Sequence, residues 1–311
     1  MTMDAAAITV IILTYNEELH LARCLQGVAS WCARIIVVDS FSTDRTLDIA
    51  RAAGAEVHQR AFINQADQFQ WALDTIPIDT PWTLRLDADE YFEPALIAEI
   101  AERLPALAPE ITGIAFHRKM IFRGQWIRHG TYYPVRLLRL WRTGAARIEQ
   151  RWMDEHIRLL RGTEILFTRG DFVDENLGTI GAWTDKHNRY ATRHMVDFVG
   201  RKIGLLPTEP PPTGRAARTK RFLRERVFGG APLYLRSLLY FLYRYFFRLG
   251  FLDGRNGFVW HFLHGFWLFM LIDAKIDEAE TYIAQHGRDA FVPWLAERYD
   301  FHDALPAPID Q

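Results

Sequence analysis

Two aspartates separated by a single residue, Asp87 and Asp89, carry the strongest chemical signal in the sequence. In an extended chain, residues i and i+2 project to the same side, so both carboxylates would face one point. Carboxylate oxygens are hard ligands that suit Mg²⁺ or Mn²⁺, whose remaining positions go to phosphate oxygens and water. An ion held in this way could neutralise a diphosphate leaving group. A solvated acidic turn that also contains Glu90 is the alternative interpretation.

The elements that must position these acids are predicted from apolar runs and helical periodicity. Apolar residues without alternation predict buried strands at 8–13, 34–38 and 82–86, with a short strand at 55–58. Helices are predicted from Leu21 to Ala29, from a cap at Ser42 or Thr43 to Ala53, and over 66–75. Longer strands at 113–122 and 134–141 and a polar helix over 182–200 follow. Strands that alternate with helices in this way are typical of an α/β fold with a mainly parallel sheet.

Polar residues stand where three of these strands end, at 14–18, 39–44 and 87–90. In an open parallel sheet, ligands bind in the crevice at the carboxyl ends of the strands. Asp39 is either a capping acid or an acceptor for a nucleotide base or ribose, and Glu17 is either a first-turn helix acid or an acceptor for sugar hydroxyls. The sequence contains neither GxGxxG nor GxxxxGK[ST], which argues against a Rossmann dinucleotide site and a P-loop enzyme.

The sequence resembles the family 2 glycosyltransferases in three segments, TYNEE at 14–18, VVDSFSTDRT at 37–46 and LDADE at 86–90. Members of this family are inverting enzymes with the GT-A fold that use nucleotide sugars. The resemblance extends to FINQADQFQWAL at 62–73 and to MDEHI at 153–157, where the family carries its acidic catalytic motif. The stretch 250–278 resembles bacterial members that build the lipopolysaccharide core or related surface glycans.

The resemblance implies roles for individual residues of the donor site. Asp89 would be the principal ligand of Mg²⁺ or Mn²⁺, and Asp87 would lie near the ribose and the metal. Asp39 would face the base, and Gln68 would help to position the donor. The remaining residues of the nucleotide pocket would be Thr14, Tyr15 and Glu17. The metal-linked diphosphate of the family is usually UDP, but these residues do not identify the base.

Two adjacent acids, Asp154 and Glu155, are the candidate catalytic residues of the acceptor side. Inverting transfer is a single displacement, so a carboxylate near the acceptor hydroxyl is needed as a general base. Neighbouring residues in an extended chain point in opposite directions, which leaves one of the two for this role. The resemblance favours Glu155, with Asp154 second. His156 would either orient the base or contact phosphate, or else be a partly buried structural histidine.

Composition describes a globular chain with an uneven distribution of charge. The 311 residues have a net charge of −1, which argues against a nucleic-acid binder. The two cysteines do not have the spacing of a zinc site or of a disulfide framework, which argues against both. Residues 201–255 hold 12 Lys and Arg against 3 acids, a net charge of +9, so the rest carries −10. The N-terminus has no secretory pattern, which predicts a cytoplasmic compartment.

The C-terminal third is aromatic, basic and helical in pattern. Residues 231–251 are long enough to span a membrane, but Arg236, Arg244 and Arg248 fall within an arc of about 120° at 100° per residue. This predicts a helix that lies in the membrane interface with its arginines towards anionic headgroups. Residues 257–272 have no formal charge but are shorter than the ~20 residues of a span. A re-entrant hairpin and a buried packing or dimer surface are the alternatives.

Together these features predict a GT-A glycosyltransferase domain over 1–204, with a donor half at 1–110 and an acceptor half at 111–204. A Pro-rich linker at 205–215 and a helical membrane-interface region at 216–311 follow, and residues 216–275 would contact an anionic membrane. The predicted reaction moves a sugar, with UDP-hexose as the favoured donor, to a lipid-linked saccharide acceptor of lipopolysaccharide core or a related glycan. It would take place at the cytoplasmic face of the inner membrane, with the enzyme peripheral or monotopic. The alternatives are a polyprenyl-phosphate glycosyltransferase, a nucleotidyltransferase and a non-catalytic scaffold, and the oligomeric state is open.

Overall fold

A computed structural model describes residues 8–153, 155–206 and 232–301. Within these ranges, packing divides the chain into two units. The first comprises 8–150 and 155–178, and the second comprises 151–153, 179–206 and 232–301. The predicted linker falls mostly on 207–215, which lies outside the described residues, so the domain boundaries given above stay predictions.

The first unit is built on a mixed sheet that is parallel on its donor side. Its strands are β1 (Ile8–Thr14), β2 (Arg34–Asp39), β3 (Glu56–Gln59), β4 (Trp82–Asp87), β5 (Glu90–Phe92), β6 (Ile111–Phe122), β7 (Gln125–Ile127), β8 (Val135–Arg142), β9 (Ala146–Ile148), β10 (Ile157–Leu159), β11 (Thr163–Leu166) and β12 (Phe172–Glu175). The order along the sheet is β3-β2-β1-β4-β8-β6-β12-β5, with β7 and β11 paired to β6 and a separate β9–β10 pair. The first four strands of this order run parallel, whereas β8 is antiparallel to both β4 and β6. The predicted strands of the α/β region are therefore confirmed.

Register brings the predicted polar strand ends to one edge of the sheet. Thr14 at the end of β1 lies opposite Asp39 at the end of β2, and Leu13 lies opposite Asp87 at the end of β4. Strands β1, β2 and β4 are buried on both faces, because helices cover the sheet and apolar side chains pack against each face. The three segments that resemble donor-site motifs thus share one edge.

Four helices of this unit follow the periodicity of the sequence: α1 (Leu21–Val28), α2 (Thr46–Ala52), α3 (Gln65–Thr75) and α4 (Pro94–Arg103). The Asn64 side chain caps α3 by accepting the N–H of Asp67 at 2.8 Å. The predicted start of α2 at Ser42 or Thr43 is wrong. The Asp44 carboxylate accepts the N–H of Thr46, the first residue of α2, at 2.9 Å, while Ser42 is bonded to Asp39.

The second unit is helical in its described part. Its helices are α5 (Ile180–Lys202), α6 (Leu235–Leu242), α7 (Gly254–Phe262), α8 (Leu268–His286) and α9 (Phe291–Tyr299). π-helical turns at Tyr243–Phe247 and Leu263–Trp267 extend α6 and join α7 to α8. The apolar run predicted at 257–272 is part of a longer helical stretch, because polar residues continue the helix to His286.

The predicted outward orientation of the C-terminal arginines is wrong for two of the three. Only 6% of Arg236 and 4% of Arg244 is exposed, whereas Arg248 is exposed. Arg236 donates through Nε to the buried Asp273 carboxylate of α8 at 2.7 Å, and Arg244 donates to the Tyr240 hydroxyl at 3.1 Å. A buried arginine needs a partner of this kind, so the arginine face of α6 and its π-helical turn faces the protein. Leucine and aromatic side chains occupy the face that is left outside.

By length and composition, one helical stretch of the described residues, Gly250–His286, suffices to cross a membrane. Its most apolar window has a mean hydropathy of 1.2, and 39% of that window is buried inside the protein. A core helix of a soluble protein passes the same test, so this stretch is weak support for a membrane span.

Candidate functional site

Asp39 organises the edge where β1 and β2 end. It is fully buried, and its Oδ1 accepts the hydroxyls of Thr14 at 2.9 Å and Ser42 at 2.5 Å. Its Oδ2 accepts the Ser42 N–H at 2.8 Å and the Gln59 amide at 3.4 Å. These bonds hold the loop after β2 against the end of β1. The contact of Asp39 with a nucleotide base stays a prediction.

The loop after β1 is tied to the loop after β2 by reciprocal hydrogen bonds. Asn16, which has a positive φ of 54°, donates its N–H to Ser42 Oγ at 2.8 Å and accepts the N–H of Thr43 at 2.9 Å. The N–H of Glu17 is bonded to Thr46 Oγ1 at 2.7 Å. Tyr15 stays exposed beside this junction, which makes it available to stack on a ligand.

The Glu17 carboxylate is oriented by a histidine that the sequence did not single out. The His20 Nε2 accepts the N–H of Leu177 at 2.9 Å, and its Nδ1 lies 2.6 Å from Glu17 Oε2. Because Nε2 acts as the acceptor, the ring proton of neutral His20 belongs on Nδ1, where it is donated to Glu17. The candidate nucleotide-pocket acid is therefore connected to the backbone that follows β12.

Gln68 lies beneath this edge and is buried on α3. Its Nε2 donates to Ser40 Oγ at 2.8 Å and approaches the Val38 carbonyl at 3.3 Å. Gln68 thus supports the end of β2, and its predicted role in positioning the donor stays a prediction.

The two aspartates at the end of β4 occupy different surroundings. The side chain of Asp87 is 30% exposed and lies between two arginines, 3.5 Å from Arg85 Nε and 3.4 Å from Arg139 Nη2. Asp89 is half-buried, and its carbonyl oxygen accepts the N–H of Glu175 at 3.1 Å and the Arg23 guanidinium at 3.2 Å. Both residues lie at or just after the end of β4, and the Asp89 backbone is bonded to Glu175, the last residue of β12.

Glu90 is not part of a solvated turn, as one interpretation of the sequence predicted. It is buried, accepts the Asp87 N–H at 2.9 Å and pairs with the buried Arg139 at 2.5 Å. Burial raises the pKa of Glu90 to about 8, and the charges of Asp87 and Asp174 add to that rise, while Arg139 opposes it. Burial lowers the pKa of Arg139, but the charges of Glu90 and Asp87 outweigh that effect and raise it above its usual value. Sequence reasoning missed this pair, and an arginine within the apolar run of β8 was the available signal.

Of the candidate bases, Glu155 is bonded to Arg85, which also contacts Asp87. Its side chain is only 7% exposed, and its Oε1 accepts a hydrogen bond from Arg85 Nη2 at 3.0 Å. Asp154 lies outside the described residues. His156 is exposed, with Nδ1 at 3.5 Å from Glu149 Oε2, which contradicts the alternative of a partly buried structural histidine.

The donor set at the sheet edge fits a divalent metal ion that arrives with phosphate. Among the described residues, no group of three or more His, Cys, Asp or Glu side chains forms a complete cage. Mg²⁺ is commonly held by one or two carboxylates together with substrate phosphates and water rather than by a protein cage. Asp89 and the partly exposed Asp87 supply that kind of incomplete set.

Comparisons with known proteins identify the family of the chain and several relatives. The model of glycosyl transferase family 2 matches residues 9–173. The lipopolysaccharide core biosynthesis glycosyltransferase LpsC of Rhizobium meliloti (strain 1021) is 31% identical over 147 residues, which cover 46% of this chain and 53% of LpsC. An uncharacterised glycosyltransferase of Rickettsia typhi is 37% identical over 93 residues, 30% of this chain and 31% of that protein. The chain therefore matches about half the length of LpsC and about a third of the Rickettsia protein.

Solved structures with lower identity also match. TarS of S. aureus, crystallised with UDP-GlcNAc, is 14% identical with a TM-score of 0.47, over 91% of this chain and 92% of that one. Glucosyl-3-phosphoglycerate synthase of Mycobacterium tuberculosis, in complex with Mn²⁺, UDP and glucosyl-3-phosphoglycerate, is 21% identical with a TM-score of 0.30, over 38% and 45% of the two chains.

Proposed function

Because the chain belongs to family 2 of the glycosyltransferases, we propose that it transfers a sugar, with inversion, from a nucleotide-diphosphate sugar to a membrane-linked saccharide. The GT-A-like α/β fold with a helical C-terminal region agrees with this family. The observation that carries the proposal is the shared sheet edge, where the ends of β1, β2 and β4 meet beside Glu155. UDP-hexose is the first donor to test.

The donor half supplies recognition and charge. Thr14 and Asp39 end β1 and β2, and Tyr15 and Glu17 lie in the loop after β1, which is joined to the loop after β2. A nucleoside would lie at this edge. Asp89, with Asp87, would hold Mg²⁺ or Mn²⁺, which when bound supplies positive charge for the diphosphate leaving group.

The acceptor side supplies the base. An acceptor hydroxyl is a poor nucleophile until its proton is removed, and Glu155 is the proposed general base, with Asp154 as the second candidate. The acceptor is proposed to be lipopolysaccharide core or a related envelope glycan, since the relative LpsC is described as a lipopolysaccharide core enzyme. Such an acceptor is anchored in a membrane and the sugar-nucleotide pool is cytoplasmic, so the proposed site of the reaction is the cytoplasmic face of the inner membrane.

Calorimetric titration with a panel of nucleoside diphosphates and sugar nucleotides, with and without Mn²⁺, tests the donor site. We expect one diphosphate to bind in a metal-dependent manner, because its charge needs the ion and its base needs the loops after β1 and β2. Binding of none of them would contradict the donor site and favour a non-catalytic scaffold that retains the fold.

A second part of the proposal concerns membrane association through the second unit. Large apolar side chains are exposed along 235–262, and among them the adjacent Phe246 and Phe247 are 53% and 78% exposed. The others that are at least 40% exposed are Leu235, Leu238, Leu239, Tyr243, Leu249, Phe251, Leu252, Phe258 and Phe262. Because Arg236 and Arg244 are buried, insertion of apolar side chains rather than headgroup contact by these arginines would provide the attachment. The enzyme would be peripheral or monotopic, and contact with an anionic surface over 216–275 stays a prediction.

The double variant Phe246→Ser, Phe247→Ser is expected to weaken partition into vesicles on the order of 100-fold, since full burial of a Phe contributes roughly 1.5–3 kcal/mol and insertion would newly bury only the 53% and 78% of these side chains that are exposed. Flotation with phosphatidylcholine vesicles and with vesicles that contain an anionic lipid measures this, and the loss is expected with both. Leu160→Ser combined with Val292→Ser removes two exposed apolar side chains outside 235–262 and is the matched control. Wild-type flotation of the Phe246/Phe247 variant would show that this surface does not attach the protein.

A further inference from the structure

Arg85 lies between Asp87 and the proposed base Glu155. It is buried on β4 with its Nη2 at 3.0 Å from Glu155 Oε1 and its Nε at 3.5 Å from Asp87 Oδ1. The short contact is with Glu155, whereas Asp87 is also reached by Arg139. Arg85 is thus the residue of β4 that reaches across to the segment between β9 and β10.

The guanidinium of Arg85 is itself held in place by α3. It lies over the Phe69 ring, 5.6 Å from the centroid. Of the two orientations of the Gln65 amide, one satisfies both of its polar atoms. In that orientation the amide oxygen accepts from Arg85 Nη2 at 2.7 Å, and the amide nitrogen donates to Glu155 Oε1 at 3.1 Å. Gln65, Arg85 and Glu155 therefore form a closed triangle of hydrogen bonds at the start of α3.

All the hydrogen bonds to Glu155 from the described part of the chain go to one oxygen, Oε1. The second oxygen, Oε2, is left to accept from a substrate. We infer that Arg85, supported by Gln65, is a positioning residue that holds Glu155 so that Oε2 meets the acceptor hydroxyl. This inference rests on the proposed function, because it requires Glu155 to be the base.

Charge gives the physical reason for an arginine at this position. A carboxylate with 7% of its side chain exposed is costly to keep ionised without a partner. If Arg85 is lost, the Glu155 carboxylate loses the charged donor that holds it in place and turns towards water, which removes it as a base. A neutral side chain of similar length would therefore fill the space without restoring the function.

The first test replaces Arg85 by Met and by Lys in the full chain. We expect Arg85→Met to lower kcat about 100-fold, as a base displaced by about 1 Å would do, with donor KM changed by less than about threefold. Arg85→Lys keeps the charge and is expected to regain about tenfold of the lost rate. The matched control is Arg142→Met, which removes an arginine of β8 that lies over Trp82 at the start of β4 and donates to backbone carbonyls. Thermal unfolding shows whether each variant is folded at the assay temperature.

The second test places Arg85→Met in a Glu155→Gln background. If Arg85 acts through Glu155, the added substitution lowers the residual kcat by less than about twofold. A loss as large as in the wild-type background would overturn the inference while leaving Glu155 as the base. A wild-type kcat for Glu155→Gln alone would instead overturn the proposed base, and the positioning role with it.

Discussion

Asp89→Asn is expected to abolish metal-dependent binding of the donor while the fold is retained. The substitution removes one anionic oxygen ligand, and affinity for UDP with Mn²⁺ should fall by more than about 100-fold, since even the loss of an outer partner of a metal site costs 10–100-fold. The fold should persist because the backbone of residue 89 is held by Arg23 and Glu175 through the carbonyl oxygen. Calorimetry with and without Mn²⁺ measures the affinity.

The control for this experiment is Asp289→Asn, which neutralises an aspartate of the second unit whose side chain is almost fully exposed. It should bind the donor as the wild type does. Wild-type affinity of the Asp89→Asn variant in Mn²⁺ would show that this carboxylate is not a metal ligand, and unaltered binding in the presence of a chelator would extend that result to Asp87.

Glu155→Gln should lower kcat by a factor of roughly 10² to 10⁴, the range that general-base catalysis contributes. The amide keeps the size of the side chain but cannot accept the proton of the hydroxyl. Donor affinity should change little, because the hydrogen bonds to Glu155 come from Arg85 and Gln65 rather than from the loops after β1 and β2. Initial rates at saturating donor and acceptor, together with donor calorimetry, separate the two effects.

Asp154→Asn is the matched comparison, since it neutralises the adjacent acid. A larger loss with Asp154→Asn than with Glu155→Gln would assign the base to Asp154. Near wild-type rates for both variants would point to an acceptor that is already ionised, as a polyprenyl phosphate is, because such a nucleophile needs no base.

The strands of the donor half and their polar ends follow from local sequence. The apolar runs at 8–13, 34–38 and 82–86 predict strands that are buried on both faces. Each run is followed directly by a polar residue, Thr14, Asp39 or Asp87, which needs polar partners and so marks the end of the strand. The family resemblance lies in these same segments, so fold and donor edge could be predicted together. The predicted start of α2 is wrong because Ser42, a residue type that often caps helices, donates its N–H and its hydroxyl to the Asp39 carboxylate instead.

The arrangement of buried charge could not be predicted in the same way. Arg139 and Glu90 are 49 residues apart, and Arg85 and Glu155 are 70 apart, so each pair exists only once β8 and the segment after β9 are in place. A periodic pattern likewise placed Arg236 and Arg244 on one face of a helix without telling which face is inside. The acid that decides this for Arg236, Asp273, lies 37 residues further along. Sequence alone determined which elements form and which strand ends are polar, because those are properties of neighbouring residues. Tertiary structure decided which charges are buried together, because a buried charge is tolerated only where a distant partner meets it.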